Sequence, residues 1–310
     1  MKGQVVALDV GGTFMKGALV DHAGTVVRVD RAPTGVELGI DAVVSGMGDL
    51  ILKLAAGGAA VAIGVAVPGL VDDEAGIARY AANLGWQDLP LRDLLQERTG
   101  LPVALSHDVR TGGIAEGLVG AARGYDDFLF LPIGTGIAGA IVLNGRAYAG
   151  SRGMGGEIGH TPVVVFGEQC ACGQLGCLET YASAASVARR YTAASGQPVD
   201  GAQDVLARGQ AGDAVAQRIW GEAVSALATA IASYTLLLDP QLVVIGGGLG
   251  EAGDALLEPL RAQLPQRLAF RDPPPLVRAA LGDQAGTLGA AILGWRAAGD
   301  ETVGTEWEKR

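Results

Sequence analysis

The chain has 310 residues, enough at about 100–200 residues per domain for two domains with cores of their own. With 49% hydrophobic and 18% charged residues it has a globular composition, not a disordered one. Thirty-three acidic against 23 basic residues leave a net charge of -10, which opposes phosphate backbones and anionic lipid, so neither nucleic acid nor membrane is expected as a partner.

The segment before Asp9 holds one lysine and no apolar stretch of useful length, so no export signal is expected. Residues 4–8 read as an apolar strand ending at Asp9. Gly11-Gly12-Thr13 turns it into a second strand at 17–20, and a further turn leads to a third at 25–32. This meander excludes a dinucleotide-binding Rossmann start, which needs a helix straight after its glycine turn. Helical periodicity follows at 40–55, a buried strand at 60–67, a helix at 89–98, a strand at 103–105 and a helix at 109–120. The second half repeats the opening: a strand at 127–133, the turn Gly134-Thr135-Gly136, a strand at 137–143, and the hairpin turn Asn144-Gly145 into 146–149. Two halves that open alike suggest a duplicated architecture. The uncharged stretches 54–71 and 128–145 are broken by glycines and by Pro68 or Pro132, so they read as buried strands and not as membrane spans. Helices are predicted at 178–194 and 213–238, the latter capped by Asp213 and stopped by Pro240. A strand at 242–245 runs into Gly246-Gly247-Gly248. Helices at 254–268 and 285–298 follow, with a stiff linker at 271–275 between them and a charged tail expected to fray after Gly299.

Glycine supplies 49 residues, so a glycine turn alone is a weak signal here. Asp9 before Gly11-Gly12-Thr13 sets a carboxylate beside bare backbone and a hydroxyl. Next to a polyphosphate such a carboxylate needs a divalent cation, which implies Mg²⁺ at Asp9, directly or through water; a plain hairpin turn is the alternative. Gly134-Thr135-Gly136 repeats the chemistry, and two such turns could hold β- and γ-phosphates; there is no P-loop motif. Gly246-Gly247-Gly248 is either a tight turn or a place where backbone approaches a purine or its ribose. Asp108, at a strand end, is either a helix cap or a base for an attacking hydroxyl.

The most specific pattern is Gly155-Gly156-Glu157-Ile158-Gly159-His160 followed by Cys170, Cys172 and Cys177, the chain's only cysteines. Three thiols and one imidazole match a closed tetrahedral Zn²⁺ site, structural and not catalytic because no position stays open for water; unligated reduced cysteines are the alternative. Clustered cysteines of odd number fit a cytoplasmic protein better than a secreted disulfide framework. Glu157 and Glu179 bracket the loop and suit sugar hydroxyls, or are plain surface charges.

Together with Pro68-Gly69 and Asn83-Leu84-Gly85-Trp86, these motifs resemble the ROK family of sugar kinases and repressors over nearly the whole chain. The resemblance implies an α/β, actin-like ATPase (RNase H-like) fold with two domains around a central cleft: residues 1–112 completed by a C-terminal helix at about 286–310, and residues 113–285 with the zinc loop 155–179 and the adenosine-side turn 246–248. It implies ATP-dependent phosphorylation of a hexose at the C6 hydroxyl, glucose first, with Asp108 as catalytic base. By the same resemblance Gly69, Asn83, His107, Glu157, His160 and Glu179 would contact sugar, and a homodimer or homotetramer would form. Repressors of the family carry a DNA-binding extension for which residue 4 leaves no room. Two positions depart from the family pattern Asn-Asp-x-Asn: His107 precedes Asp108, and Arg110 stands where the second asparagine would be. Arg110 is expected to point away from Asp108 or toward phosphate; pairing with Asp108 would weaken the base. His107 leaves open a kinase for an N-acetylhexosamine (GlcNAc, ManNAc) or for mannose, fructose or allose, and a non-catalytic sugar sensor of the same fold.

Overall fold

A computed structural model describes residues 3–307; expectations touching Met1, Lys2 and residues 308–310 lie outside it. The chain divides into two compact units, one of Met1–Gly124, Gly145–Gly155 and Ala280–Arg310, the other of Tyr125–Asn144 and Gly156–Ala279. The boundary expected after residue 112 falls inside a continuous helix of the first unit.

In that unit β1 (Gln4–Val10), β2 (Phe14–Asp21) and β3 (Val26–Pro33) form the expected meander. Val5, Val6, Ala7 and Leu8 of β1 are all fully buried, as in a strand covered on both faces. Helix α1 (Ile40–Ala55) turns Val43, Met47, Leu50, Ile51 and Leu54 inward at helical spacing. Strand β4 (Ala60–Val67) then pairs in parallel with β1. A separate antiparallel sheet of β5 (Leu70–Asp72), β6 (Ile77–Ala81) and β7 (Trp86–Leu89) follows; strands of 3, 5 and 4 residues are too short to show a period in the sequence. After α2 (Leu91–Thr99), β8 (Val103–His107) pairs in parallel with β4 and leads straight into α3 (Asp108–Val119). The main sheet has the order β3-β2-β1-β4-β8.

The second unit opens the same way, with β9 (Phe128–Pro132) antiparallel to β10 (Ala140–Leu143). Asn144 and Gly145 both take positive φ, 51° and 70°, the hairpin turn their sequence predicts, and the chain enters β11 (Arg146–Ala147). Where one helix is expected at 178–194 there are two, α4 (Leu178–Ala182) and α5 (Ala184–Ser195). Ser183 separates them: its backbone is extended and its hydroxyl accepts from Ser186 N, which starts a new helix. Helix α6 (Ala202–Gln210) precedes α7 (Ala214–Leu238), which Asp213 caps by accepting from Val215 N and Ala216 N. Among the described residues α7 alone is long and apolar enough to cross a membrane, but half of its apolar window is buried inside this unit. Strand β12 (Leu242–Gly246), helices α8 (Gly247–Gly250) and α9 (Asp254–Arg267), and β13 (Leu276–Arg278) complete the unit, with β12 parallel to both β9 and β13.

The last helix, α10 (Ala285–Ala297), lies in the first unit against β1, β4 and α3. It approaches so closely that a Cβ on Gly64 would lie 1.8 Å from Ala290 O, and one on Gly289 would lie 2.2 Å from Thr111 O. The fully buried Glu116 of α3 accepts from Ala121 N, Ala280 N and Leu281 N, so its carboxylate stays satisfied in the core. The helix stops at Ala297 instead of running to the C-terminus, and the tail is docked instead of frayed. Val303 and Trp307 are buried, Trp307 Nε1 donates to His22 O, and Arg123 donates to Thr305 O and Trp307 O. The tail's charge hides this outcome in the sequence; the apolar surface of one tryptophan and one valine holds it together with these hydrogen bonds.

Candidate active site

In the first unit the carboxyl ends of three parallel strands line up. Asp9 of β1 is opposite Ala66 of β4, and Val67 is opposite His107 of β8. The segments that leave this edge are Gly11-Gly12-Thr13, Pro68-Gly69 and the start of α3, a position that suits ligand binding in open α/β sheets. Gly11 N donates to Phe14 O at 2.9 Å and Thr34 Oγ1 donates to Gly11 O at 2.7 Å, which fixes the turn and leaves Gly12 and Thr13 exposed. Asn83 reaches the same turn: a Cβ on Gly12 would sit 3.3 Å from its Nδ2. The Asp9 carboxylate lies against the first turn of α10, where a Cβ on Gly286 would be 2.4 Å from Oδ2. Burial raises the Asp9 carboxyl above its usual range, Lys16 opposing and Asp283 adding to the shift. A half-buried carboxylate beside exposed backbone N–H groups and a hydroxyl is a hard oxygen donor that suits Mg²⁺, whose charge would favour its ionised form. Gly69 takes φ 90° and passes so near β6 that a Cβ would meet Tyr80 O at 2.1 Å.

Asp108 is the first residue of α3 and not its cap; its Oδ1 accepts from Val109 N at 2.7 Å. His107 Nε2 lies 3.3 Å from the same oxygen. Burial, with Arg110 nearby, pushes His107 down to about 3, so the contact is between a neutral imidazole and a carboxylate. Its Nδ1 is buried with no hydrogen-bond partner. Arg110 turns away from Asp108: its guanidinium donates to Asp73 Oδ1 at 2.7 Å, Val71 O at 3.2 Å and Gly153 O at 3.1 Å. Ser106 donates to the other Asp73 oxygen at 2.7 Å. Both terminal nitrogens of Arg110 are thus engaged, and of the two expected directions, away from Asp108 or toward phosphate, the side chain takes the first. Asp73 is the residue that sequence reasoning missed, because nothing in the run Asp72-Asp73-Glu74 marks one carboxylate as the partner of a buried arginine.

In the second unit the two glycine turns meet. Gly246, the last residue of β12, is opposite Pro132 of β9, and its carbonyl accepts from Ile133 N at 2.9 Å. Gly247 takes φ 70° and lies against Ile133, whose O would be 2.5 Å from a Cβ there. Gly134-Thr135-Gly136 closes on itself through Gly134 N to Gly136 O at 3.0 Å. The half-buried Glu179 reaches the same turn, with Oε2 accepting from Ile137 N at 2.7 Å.

Gly156 and Gly159 press the loop that carries Glu157 and His160 against this segment, Gly139 N donating to Gly156 O at 2.8 Å. The ligand atoms of His160, Cys170, Cys172 and Cys177 all lie within 4.8 Å of one another. Cys170 Sγ is 3.7 Å from His160 Nδ1, and Cys172 Sγ is 3.7 Å from Cys177 Sγ. A tetrahedral zinc with Zn–S near 2.3 Å has edges of about 3.5–3.8 Å, which these two separations match, and three thiols with one imidazole are donors that suit it. Without a cation, burial and the neighbouring thiols push Cys177 up to about 12. With Nδ1 turned to the cysteines, His160 keeps Nε2 on the side of Glu157, 4.0 Å from Oε2.

The ROK family profile matches residues 5–297. The chain is 35% identical to a glucokinase of Halalkalibacterium halodurans, over 93% of this chain and 94% of that one. It is similar in structure to a ROK hexokinase from Thermus thermophilus, with a TM-score of 0.86 and 36% identity over 96% of this chain and 99% of that one. A ROK family glucokinase from Streptomyces griseus, solved in complex with glucose and AMPPNP, is also similar, with a TM-score of 0.80 and 28% identity over 95% of this chain and 100% of that one. Matches of this length take in both units and leave little of the sequence outside them, so the α/β architecture is the family's actin-like ATPase fold and the chain belongs to the ROK family.

Proposed function

We propose that this chain is an ATP-dependent hexose kinase that phosphorylates glucose at its C6 hydroxyl. The observation that carries the reading is its full-length similarity to glucokinases, at 35% identity for the Halalkalibacterium halodurans enzyme. Asp108, at the carboxyl edge of the first sheet, accepts the C6 hydroxyl proton. The hydroxyl oxygen bonds to the γ-phosphorus, the bond from that phosphorus to the β–γ bridging oxygen breaks, and ADP leaves. Gly11, Gly12 and Thr13 hold phosphate, as do Gly134, Thr135 and Gly136, while Gly246, Gly247 and Gly248 pass beside the adenosine. Gly69, Asn83, His107, Glu157, His160 and Glu179 hold the sugar. Bound Mg²⁺ at Asp9 supplies charge neutralisation at the transferring phosphoryl group, and Zn²⁺ on His160, Cys170, Cys172 and Cys177 supplies rigidity alone. The enzyme works in the cytoplasm as a homodimer or homotetramer, without nucleic-acid or membrane partners.

A second reading rests on His107, which stands where the family pattern has asparagine: the sugar is then an N-acetylhexosamine or another hexose, or the chain senses sugar without turnover. A coupled ADP-release assay with Mg·ATP across a panel of hexoses and N-acetylhexosamines, with Asp108→Ala as control, decides. Turnover on glucose that vanishes in the control is expected; turnover on a different sugar, or on none, moves the assignment to the second reading.

A further inference from the structure

We propose that Glu179 is a positioning residue for the nucleotide as well as a sugar contact: its carboxylate holds the Gly134-Thr135-Gly136 turn in shape and ties that turn to the cysteine knot. The proposal rests on the kinase reading above, since it assigns phosphate to that turn.

The chain between Leu131 and Gly139 has left the β9–β10 ladder, whose last pair is Phe130 with Ala140; one isolated bridge, Ile133 with Ile137, spans the excursion. Leu131 and Pro132 stay paired with β12, but the two glycines beyond them sample many backbone conformations unless something outside the strand fixes them. The corner between α4 and α5 does so at both ends. On one side Glu179 Oε2 accepts from Ile137 N at 2.7 Å, and a Cβ on Gly136 would lie 2.6 Å from that same oxygen. On the other, Ala184 N donates to Gly134 O at 2.8 Å. A charged acceptor makes the stronger of the two bonds. With Oε2 committed to the turn, Oε1 remains for a sugar hydroxyl.

The start of α4 is set by the knot. Cys177 occupies its N-cap position, Pro162 bridges to Cys177, and Leu178 N donates to Thr161 O at 2.9 Å, next to His160. Glu179 therefore follows the knot by two residues and reaches the turn directly. A turn already shaped before ATP arrives loses less conformational freedom on binding, so the bond raises nucleotide affinity.

The test is calorimetric binding of Mg·AMPPNP in the absence of sugar, with zinc content measured in every protein. Glu179→Ala and Glu179→Asp, which remove or withdraw the oxygen, are expected to weaken nucleotide binding by about tenfold or more, while Glu179→Gln, whose amide oxygen still accepts from Ile137 N, stays within about threefold of the parent. Hydrogen exchange at the Ile137 amide gives a second readout: protection should persist in the Gln protein and be lost in the Ala and Asp proteins that retain zinc. Unchanged nucleotide affinity in all three variants would mean that Glu179 serves the sugar alone, and the proposal falls while the kinase reading stands. If the Ala protein folds poorly, the Asp and Gln proteins decide between the same outcomes. A parent protein that binds no nucleotide overturns the kinase reading and this proposal with it.

Discussion

The two glycine turns hold the same place in their units, after the first strand of an antiparallel pair that also pairs in parallel with a later strand, yet they are fastened differently. In the first unit the ladder runs to the turn itself, its last pair being Val10 with Met15, and Gly11 N closes on Phe14 O. Beyond its ladder that turn is held by one residue of the neighbouring strand's end, Thr34, whose N and Oγ1 donate to Thr13 O and Gly11 O, and its carboxylate, Asp9, comes from its own strand. In the second unit the ladder stops at Phe130, and the turn stands on a longer excursion held from outside by Glu179, Ala184 and Gly246. A turn continuous with its ladder can spend its local residues on chemistry, whereas a detached one depends on the elements around it. The base would then belong to the first unit and the metal-dependent scaffold to the second.

The sharpest way to break this division is Asp108→Asn. The variant should turn over about 10²–10⁴-fold more slowly while its AMPPNP affinity stays within a small factor of the parent, by coupled assay and calorimetry. A variant that binds nucleotide as poorly as it turns over would place Asp108 in phosphate binding and end the division.

Next in size is loss of the knot. Cys177→Ser leaves three donors for a site that fits four, and the variant should lose its zinc, melt several degrees lower and become open to proteolysis between residues 156 and 182. Cleavage confined to the second unit is the expected pattern, read by mass spectrometry of early fragments. Cuts that appear first in residues 1–124 would show that the first unit depends on the metal equally.

The first unit has its own fastening, and Arg110→Ala tests it. The side chain is 2% exposed and its Asp73 partner 38%, so the pair is half solvated and its removal should cost about 2–3 kcal/mol in urea unfolding. Because the guanidinium is held by Asp73, Val71 O and Gly153 O, AMPPNP affinity should not change. A loss of nucleotide affinity without a loss of stability would return Arg110 to the phosphate.

What the sequence shows and what it hides follow one physical line. Elements defined by a run of one periodicity are legible: α1 and β4 appear at their expected bounds, and Asp213 caps α7 as its position predicts. The clustering of His160, Cys170, Cys172 and Cys177 is legible too, because cysteine and histidine at close spacing have few other uses. Features decided by one tertiary contact are not. Ser183 splits a helix whose apolar spacing runs on past it, and Trp307 docks a tail whose charges suggest fraying. In the candidate site, the residue types of Asp108 and Glu179 suggest ligand contacts, but only the fold shows that Arg110 answers to Asp73 and that Glu179 reaches Ile137.

A pH-dependent effect isolates His107 and bears on the first unit alone. In the folded chain its imidazole stays neutral down to about 3, held there by burial and then by Arg110, whereas an unfolded chain takes up that proton near its ordinary value of about 6.5. Between those two values the unfolded state binds more protons, so this residue makes stability rise with pH from about 3 to about 6.5 and contributes no slope above that. The full slope is about 1.4 kcal/mol per pH unit. Asparagine does not titrate, so His107→Asn should remove this component and leave every carboxylate contribution in place. Urea midpoints of the two proteins at pH 7, 6, 5 and 4.5 should therefore diverge as the pH falls, the variant losing less stability than the parent. Parallel curves would mean that His107 takes its proton in the folded chain. The neutral contact to Asp108 would then become an ion pair in mild acid, and the base would lose strength at the same pH.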